Sequence, residues 1–474
     1  MFFRLLTIVF AAVAISTTAQ AEERKDDKPN IVLLLADDAG ARDFGFMGSR
    51  EIRTPNIDRI ARHGVTFTQA YAPHQVCGPS RAAILTGKYP QRFGYEYNTV
   101  ANLVSPNGKY GFEDQGLPLS QVTLADRLRD LGYRTALFGK WHLGVADRYH
   151  PLQRGFDEFY GFRGGARSFF AYSASNPLDA DENRMERGLR EFEEFDGYLT
   201  DVLAQEGVSF MQRNKDQPFF VMLSFNAVHT PMEALPEDLA QYPDLSGLRQ
   251  KQAAMLHSLD RAAGKVLDAL DQLGLAENTI VVFTNDNGGA TSVNAAVNFP
   301  FAGEKATHLE GGLRVPFAMR WPDKLALNSV YEEPVSLIDL LPSFVSAAGG
   351  DPFATGPLDG VSLWPYLSGA EAGYPHEALY WKRDVRATMR QGDWKLLRMP
   401  DRPAELYNLA TDPGEQTDLA AQEPERLRAM FKRLADWEYA LERPLWMREP
   451  EVERRDMQIH ERYRVPQEHY EPYE

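Results

Sequence analysis

Short apolar runs alternate with amphipathic stretches along most of the chain. Four runs are apolar enough to be strands buried on both faces, and they cover residues 30–36, 133–138, 218–225 and 279–283. Helical periodicity with start and stop signals predicts helices over residues 54–62, 123–131, 248–273 and 336–347, the first of them capped by Thr54. The alternation predicts an α/β fold, with a large mixed, mostly parallel sheet flanked by helices on both faces.

The pattern changes near residue 374. Short runs at 378–381, 387–390, 394–399 and 405–407 predict antiparallel strands, and a helix is predicted over 423–441. We therefore expect a large domain over residues 22–372, a small C-terminal antiparallel α+β domain over 373–442, and a charged tail over 443–474. For the tail, a solvated segment is favoured over one that wraps back towards the site.

Polar residues of catalytic type follow each of the four buried strands. In chain order they are Asp37 and Asp38, Lys140 and His142, His229, and Asp286 and Asn287. In open α/β sheets ligands bind beyond the carboxyl ends of the strands, so we expect these side chains to meet at one site. The two pairs Asp37-Asp38 and Asp286-Asn287 offer only oxygen donors, which suits Ca²⁺ or Mg²⁺ and disfavours zinc. Such strings are more often turns, but their position after buried strands favours a ligand role.

The overall charge bears on the class of partner. A formal net charge of −16 argues against nucleic acid. An anionic substrate is not excluded, because physiological salt screens charges over about 8 Å and lets a local cationic pocket act independently.

The first 21 residues have the pattern of a secretory signal peptide. Arg4 precedes an apolar stretch over 5–15, and Ala19-Gln20-Ala21 forms a small-residue cleavage site. We expect a mature chain from Glu22 and a periplasmic or secreted protein. Membrane insertion is not expected, because the apolar stretch is shorter than the roughly 20 residues that cross a bilayer.

The only cysteine of the chain opens the string Cys77-Gly78-Pro79-Ser80-Arg81. Pro79 suits the first turn of a helix that Gly87 can end, which places residue 77 at a helix N-terminus, where an anion is favoured. A lone free cysteine is more often an inert buried thiol. The flanking string favours a chemical role instead.

This string resembles the signature of the formylglycine-dependent (type I) sulfatases of the alkaline phosphatase superfamily, in particular exported bacterial glycan sulfatases. The resemblance continues, in family order, in residues 139–144, 229–231, Lys305 with 310–316, and 405–409 with 412–413. Two departures are Ala306, where many relatives have glycine, and Ala41-Arg42-Asp43 after the aspartate pair. Neither is a catalytic position, so both bear on the substrate rather than on the chemistry.

The resemblance implies a role for each candidate residue. Cys77 would be oxidised by a formylglycine-generating enzyme to 3-oxoalanine (formylglycine), whose hydrate attacks sulfur and is held by Arg81. Residue 77 would share one divalent metal, calcium before magnesium, with the four oxygen donors, and Asp286 would also act as base. Lys140 and Lys305 would neutralise sulfate oxygens. His229, aided by Lys305, would protonate the departing alcohol, and His142 would act in the release of sulfate.

The predicted function is hydrolysis of sulfate monoesters of a sulfated sugar or polysaccharide, with residues 22–372 as the catalytic domain. Residues 89–98 resemble a segment of relatives that act on galactose or N-acetylgalactosamine sulfates, which suggests this substrate type. Candidate sugar contacts are Arg148, His150, Arg163, Arg167 and residues 381–383. The alternatives are a formylglycine-dependent phosphonate monoester or phosphodiester hydrolase and a non-catalytic glycan-binding protein, which is disfavoured because every catalytic position is filled. The sequence leaves the oligomeric state open.

Overall fold

The computed structural model describes residues 28–99, 103–105, 108, 110–173 and 180–463. The predicted signal peptide and the last part of the predicted tail, residues 464–474, lie outside these ranges. Within them, none of the helices combines the length and the apolar character that a membrane crossing requires.

Strands and helices alternate through the first 350 residues, and strands then predominate until the last two long helices. The strands are β1 (Asn30–Ala36), β2 (Val65–Phe67), β3 (Ala70–Tyr71), β4 (Leu103–Val104), β5 (Arg134–Lys140), β6 (Glu158–Phe162), β7 (Glu186–Arg187), β8 (Phe219–Ser224), β9 (Thr279–Asn285), β10 (Phe317–Arg320), β11 (Ser329–Tyr331), β12 (Val335–Ser336), β13 (Leu379–Arg383), β14 (Arg386–Gln391), β15 (Trp394–Arg398), β16 (Glu405–Asn408) and β17 (Met447–Arg448). The α-helices are α1 (Ile57–Arg62), α2 (Cys77–Thr86), α3 (Leu124–Asp130), α4 (Leu199–Arg213), α5 (Pro236–Leu239), α6 (Gly247–Gln272), α7 (Thr291–Asn294), α8 (Glu310–Leu313), α9 (Leu340–Ala347), α10 (Trp364–Leu367), α11 (Pro424–Glu438) and α12 (Pro450–Arg462).

The main sheet has nine strands in the order β11-β2-β10-β9-β1-β8-β5-β6-β7. The central strands β9, β1, β8, β5 and β6 are parallel to their neighbours in this set. Strand β10 is antiparallel to both of its neighbours, and β7 is antiparallel to β6. The predicted mixed, mostly parallel sheet is therefore confirmed, and the carboxyl ends of β9, β1, β8 and β5 lie side by side.

The sheet is buried on both faces. In β1, Val32 and Leu34 join a core with residues of α1, α4 and α6, whereas Ile31, Leu33 and Leu35 join a second core with residues of α2, α3 and α9. Side chains alternate between the two faces of a strand, so a strand covered on both sides must be apolar at every position. This explains the continuous apolar run from which β1 was predicted.

The small antiparallel sheet has the order β13-β14-β15-β16, which confirms the predicted C-terminal α+β fold. Helix α11 covers it through Met430 and Leu434, which pack with Met389 and Leu396. Ala83 of α2 belongs to the same apolar cluster, so the small sheet rests against the helix that begins at Cys77. The boundaries at residues 372 and 442 stay predictions.

The segment expected as a solvated tail contains structure as far as Arg462. Strand β17 pairs with β4, and helix α12 follows it. Trp446 is buried and donates its indole N–H to the carbonyl oxygen of Tyr97 at 3.2 Å. Asp456 of α12 forms a buried ion pair with Arg383 of β13 at 2.5 Å. Such contacts with distant parts of the chain hold a segment whose own charge and proline content favour solvent.

Candidate active site

Helix α2 begins at Cys77 and ends before Gly87, as its sequence predicts. Gly87 has a φ of 66° and closes the helix in the left-handed conformation that glycine tolerates. All ten residues of the helix are buried. The backbone N–H of Gly78, in the first turn, donates to Asn98 Oδ1 at 2.8 Å. Residue 77 therefore lies at a buried helix N-terminus, which favours negative charge.

Asp37 is the first residue after β1, and three groups converge on its carboxylate. Cys77 Sγ lies 3.6 Å from Oδ1, Arg81 Nη2 lies 3.3 Å from Oδ2, and Lys140 Nζ also contacts Oδ2. Lys140 is the last residue of β5, and Arg81 lies one turn into α2. The strand ends and the helix start therefore meet, as the sequence predicted.

Asp38 gathers the second group of candidate residues. Its carboxylate lies 2.7 Å from Lys305 Nζ, 2.8 Å from Asn287 Nδ2 and 3.5 Å from His229 Nε2. Lys305 Nζ is also 3.1 Å from Cys77 Sγ, which joins this group to the first. Cys77 thus lies between two carboxylate-centred clusters.

Arg81 is held rigidly between the elements of the sheet. Its Nε donates to Asp286 Oδ2 at 2.8 Å, and its Nη1 donates to Ser224 Oγ at 2.5 Å. Ser224, the last residue of β8, was not among the predicted site residues. A guanidinium with this many partners is preorganised, so it does not have to be ordered when a substrate binds.

The two buried carboxylates nearest Arg81 have opposite pKa shifts. Burial alone would raise the pKa of Asp37, but the positive charges of its neighbours, Lys140 first and Arg81 among them, more than offset it and hold that pKa below its usual range. Burial and the negative charge of Asp37 raise the pKa of Asp286 to about 6. Two carboxylates this close do not both ionise easily, so one pKa falls and the other rises. The carboxylate with the raised pKa, Asp286, can then act as a proton acceptor.

The neighbouring thiol and ammonium are also shifted. Burial, followed by the charge of Asp37, raises the pKa of the Cys77 thiol. The unmodified thiol is therefore a poor nucleophile at neutral pH. Burial would lower the pKa of Lys305, but Asp38 and the other nearby anions raise it well above its usual value. Lys305 consequently stays positively charged.

The pKa values of both predicted histidines are lowered. Burial and the charge of Lys140 lower the pKa of His142 far below its usual value, and burial and Lys305 lower that of His229. His142 packs tightly: a Cβ on Gly165 would lie 2.7 Å from its Nε2, so this position requires glycine. His229 Nδ1 lies 2.7 Å from the carbonyl oxygen of Thr230, which fixes Nδ1 as the protonated nitrogen and leaves Nε2 towards Asp38.

Several donor atoms suit a divalent cation. One atom each from Asp37, Asp38, Cys77 and His229 lies within 4.8 Å of the others. Asp286 Oδ1 and Asn287 Oδ1 are buried and accept no hydrogen bond. Buried oxygens normally have a partner, and a cation would provide one. The oxygen-rich set therefore fits a hard cation, and His229 lies nearer to it than the sequence predicted.

A cleft of about 420 Å³ opens beside this cluster. Asp38, His229 and Lys305 line one side of it, and Arg448, Arg455 and Arg462 line another. The three arginines belong to β17 and α12, and sequence reasoning missed them because the segment looked solvated. The many charged residues of this segment were the available signal for a binding role, but they did not indicate that the segment lies beside the cleft.

The candidate sugar contacts are occupied elsewhere, and none of them lines this cleft. Arg163 pairs with the buried Glu186, and Arg167 pairs with Glu194 at 3.0 Å. The others are likewise engaged: Arg148 with Asp114, His150 beside Glu186, Trp381 with the carbonyl of Ala72, Lys382 with Glu96 and Arg383 with Asp456.

Comparisons with known proteins identify the family of this chain. The sulfatase family model matches residues 29–350. Steryl-sulfatase of Mus musculus is 34% identical over 430 residues, covering 74% of this chain and 67% of that protein. N-acetylgalactosamine-6-sulfatase of Mus musculus is 35% identical over 353 residues, covering 72% of this chain and 66% of that protein. The chain thus spans about two thirds of the length of these curated relatives.

A solved structure is similar over nearly the whole chain. The crystal structure of Ps i-CgsB in complex with k-i-k-neocarrahexaose superposes with a TM-score of 0.82 at 34% identity, covering 92% of this chain and 98% of that one. The resemblance inferred from the motifs is thereby confirmed: the chain belongs to the sulfatase family, a family of sulfuric ester hydrolases.

Proposed function

We propose that this protein removes sulfate from a sulfated carbohydrate, and that Cys77 reacts only after its oxidation to formylglycine. The observation that carries the proposal is the position of Cys77, with Sγ 3.1 Å from Lys305 Nζ and 3.6 Å from Asp37 Oδ1. Because burial raises the pKa of its thiol, the unmodified side chain suits the attacking role poorly. A formylglycine-generating enzyme would be needed for maturation.

We propose that Asp37, Asp38, Asp286 and Asn287, with residue 77, hold one divalent cation, calcium before magnesium. The unpartnered oxygens of Asp286 and Asn287 support this ligand set. Bound there, the cation would supply positive charge for the sulfate and lower the proton affinity of the attacking hydroxyl. Arg81, Lys140 and Lys305 match the three aspartates in number, so a dication would leave the site net positive towards an anionic ester.

The protein side chains divide the remaining work. Lys140 and Lys305 would bind sulfate oxygens, and Arg81 would orient residue 77. Asp286, held by Arg81 at 2.8 Å within the same cluster, would accept the proton of the attacking hydroxyl. The negative charge of a bound ester would raise the low pKa of His229, so that its Nε2 would carry a proton to the departing alcohol. His142, buried and neutral with Nδ1 unpartnered, would accept a proton when sulfate is released.

For the substrate we propose a sulfated galactose or N-acetylgalactosamine unit of a glycan. The names of two similar proteins support this choice, one an N-acetylgalactosamine-6-sulfatase and one crystallised with k-i-k-neocarrahexaose. The alternative of a phosphonate monoester or phosphodiester hydrolase is a competing outcome of the test below.

The test joins the state of residue 77 to activity. Protein co-produced with a formylglycine-generating enzyme should have a residue-77 peptide lighter by about 18 Da than the thiol form, as expected when a thiol becomes an aldehyde. That preparation should release sulfate from galactose-6-sulfate or N-acetylgalactosamine-6-sulfate. Cys77→Ser and Cys77→Ala should be inactive although folded. Full activity of unmodified protein, or a faster reaction with phosphodiesters than with sulfates, would contradict the proposal.

We further propose that the protein acts outside the cytoplasm after removal of residues 1–21. N-terminal sequencing of protein secreted by the native host should begin at Glu22. A chain that retains Met1 in the cytoplasmic fraction would contradict this.

A further inference from the structure

The wall of the cleft opposite the catalytic cluster is built by the end of the described chain. Strand β17 carries Arg448, and its backbone is held by antiparallel pairing with β4. Trp446, two residues earlier, is buried and its ring lies 4.9 Å from that of Tyr95 in an edge-on contact. The position of Arg448 is therefore fixed by the fold rather than by its own side-chain contacts.

Helix α12 supplies the rest of this wall and is also anchored. Asp456 pairs with Arg383, and Glu453 pairs with Arg386. Arg383 and Arg386 belong to the small domain, on β13 and β14. The helix thus spans from the small sheet to the cleft, and Arg455 lies on its cleft side.

The carboxylates that line the cleft already have partners. Asp38 is held by Lys305 at 2.7 Å, Asp456 by Arg383 at 2.5 Å, and Glu304 accepts the backbone N–H of Ser292 at 2.5 Å. The Arg448 side chain, although half-buried, makes no hydrogen bond or ion pair with any described residue, whereas its backbone pairs with Leu103. Arg455 reaches only Asp456, its neighbour in sequence, at 3.8 Å.

Two guanidinium groups therefore line the cleft without a hydrogen-bonded carboxylate, and the nearest anion, Asp456, is itself paired with Arg383. Burial lowers the pKa of Arg448; Asp456 opposes this effect, whereas Arg383 and Arg455 add to it. A partly buried cation beside other cations is destabilising unless an anion arrives. Guanidinium groups bind planar or tetrahedral oxyanions through paired hydrogen bonds, so such an anion would be oriented as well as attracted.

We propose that Arg448 and Arg455 form a second anion subsite, which binds an anionic group on the sugar next to the one that loses its sulfate. The cleft that they line is continuous with Lys305 and His229, so both groups of one ligand can be bound at once. The ligand is thus a glycan with negative charge on adjacent units, and we favour a second sulfate ester over a uronate carboxylate. This inference rests on the proposed function, because it extends the same cleft.

The test compares ligands that differ only in the second charge. The probes are a galactose disaccharide sulfated on both residues, its two monosulfated forms, and a form in which a uronic acid replaces one sulfated residue. Affinities are measured by calorimetry on protein carrying Cys77→Ala, and KM and kcat on the active enzyme. The variants are Arg448→Gln, Arg448→Lys and Arg455→Gln.

Arg454→Gln is the matched control. Arg454 lies on the same helix and pairs with Glu451 at 3.2 Å, but it does not line the cleft. Its substitution removes the same charge, so it separates a local contact from a change in overall potential. Arg455, whose side chain is 65% exposed, can be replaced without a folding penalty, which keeps the test valid if Arg448→Gln is unstable.

Loss of a charge-assisted hydrogen bond should weaken the disulfated probe about 10- to 100-fold in Kd and KM. The monosulfated probe that keeps only the sulfate to be cleaved should change by less than about fivefold, the range of an exposed charge. Arg448→Lys should recover part of the loss, and kcat should change little. Equal losses on all probes, or the same loss in Arg454→Gln, would overturn the subsite. A uronate probe that binds more tightly than the disulfated one would overturn the preference for sulfate.

The outcome also separates this inference from the proposed function. If the enzyme released no sulfate from any probe, the proposed function would fail, while the calorimetric comparison would still decide the subsite. If sulfate were released equally well from mono- and disulfated probes by all variants, only the subsite would fail.

Discussion

Replacing His229 tests the proposed division of labour between the two histidines. The Nδ1 atom of His229 donates to the carbonyl oxygen of Thr230, so Nε2 is the nitrogen that can exchange a proton in the cleft. Lys305 lies beside it, but nearby anions hold the Lys305 pKa far above neutrality. Lys305 is therefore a weaker acid than His229, and it is also placed on sulfate oxygens, so it would replace His229 poorly. His229→Ala should therefore remove most of the proton donation to a departing sugar alcohol.

The expected loss of rate in His229→Ala follows from the lack of another well-suited acid beside the leaving group. General acid catalysis by a positioned side chain contributes about 10²–10⁴-fold, and with no well-suited substitute acid the full range should be lost for a galactose sulfate. An activated aryl sulfate such as 4-nitrophenyl sulfate leaves as a stabilised phenolate, so its rate should fall by less than about tenfold. His142 acts after the alcohol has departed. Replacing it by alanine should therefore slow both substrates by the same factor.

The assay measures both kcat/KM and kcat for sulfate release from both substrates by the wild type, His229→Ala, His229→Gln and His142→Ala. The loss in the His229 variants is read from kcat/KM, and the loss in His142→Ala, which affects a step after alcohol departure, is read from kcat. His229→Gln is the matched control, because an amide can keep a hydrogen bond but cannot transfer a proton at neutral pH. The two His229 variants should show the same leaving-group dependence. Equal losses on both substrates for His229→Ala would refute the assignment, and leaving-group dependence in His142→Ala would reverse the roles.

Three further predictions concern stability and the metal. Lys395→Met should lower the free energy of unfolding by about 3–5 kcal/mol in guanidinium titrations, because it removes the ion pair of the buried Glu415 and leaves Glu310 with Arg314, and adding Glu415→Gln should restore part of the loss. Burial would lower the pKa of His376, but Asp339 raises it above 6.5, so this pair should stabilise the fold below pH 6.5 and lose that effect as pH rises further; His376→Asn should remove this decline. Chelation should abolish sulfate release and lower thermal stability, calcium should restore both better than zinc, and Asp286→Ala should lose at least about 10²-fold in kcat with less bound metal by elemental analysis.

Much of the fold could be predicted because burial on two faces leaves a strong trace in the sequence. Strand β1 has the predicted bounds, since all of its residues after Asn30 are apolar. Strand β9 extends past its predicted end at residue 283, because Thr284 and Asn285 continue the ladder opposite Leu35 and Ala36. Whether polar residues belong to a strand depends on their pairing with the neighbouring strand. That pairing cannot be read from the sequence of the strand alone.

Helix starts show the same limit. Thr54 was predicted to cap α1, but the helix begins at Ile57, and its first N–H groups donate to Asp260 of α6. The Asp260 carboxylate lies 2.8 Å from the backbone nitrogen of Ile57 although it is 203 residues away in sequence. A cap supplied by tertiary contact leaves no local signal. The same reasoning applies to α12, whose ion pairs to the small domain reach across at least 67 residues.

Side chains that are neighbours in sequence converge in the site because of the backbone conformation there. The residue types alone do not reveal that conformation. Successive side chains in a strand point to opposite faces, yet Asp37 and Asp38 both reach the cluster around Cys77. Asp38 has a φ of 61° and His142 has a φ of 60°, so the chain turns left-handed immediately beyond β1 and β5. Aspartate and histidine tolerate this region better than most residues.

Ala306 also has a left-handed backbone conformation, which is energetically unfavourable for alanine. It follows Lys305, has a φ of 73° and donates its N–H to the carbonyl oxygen of Gln75 at 2.9 Å. An alanine in the left-handed region costs about 1–2 kcal/mol relative to the right-handed one, a cost that glycine would avoid. The strain persists because the turn brings the Lys305 ammonium to both Asp38 and Cys77. Three residues with left-handed backbone conformation, Asp38, His142 and Ala306, thus direct adjacent side chains into one site. Of these, only Ala306 was noted in the sequence, as a departure from the family pattern.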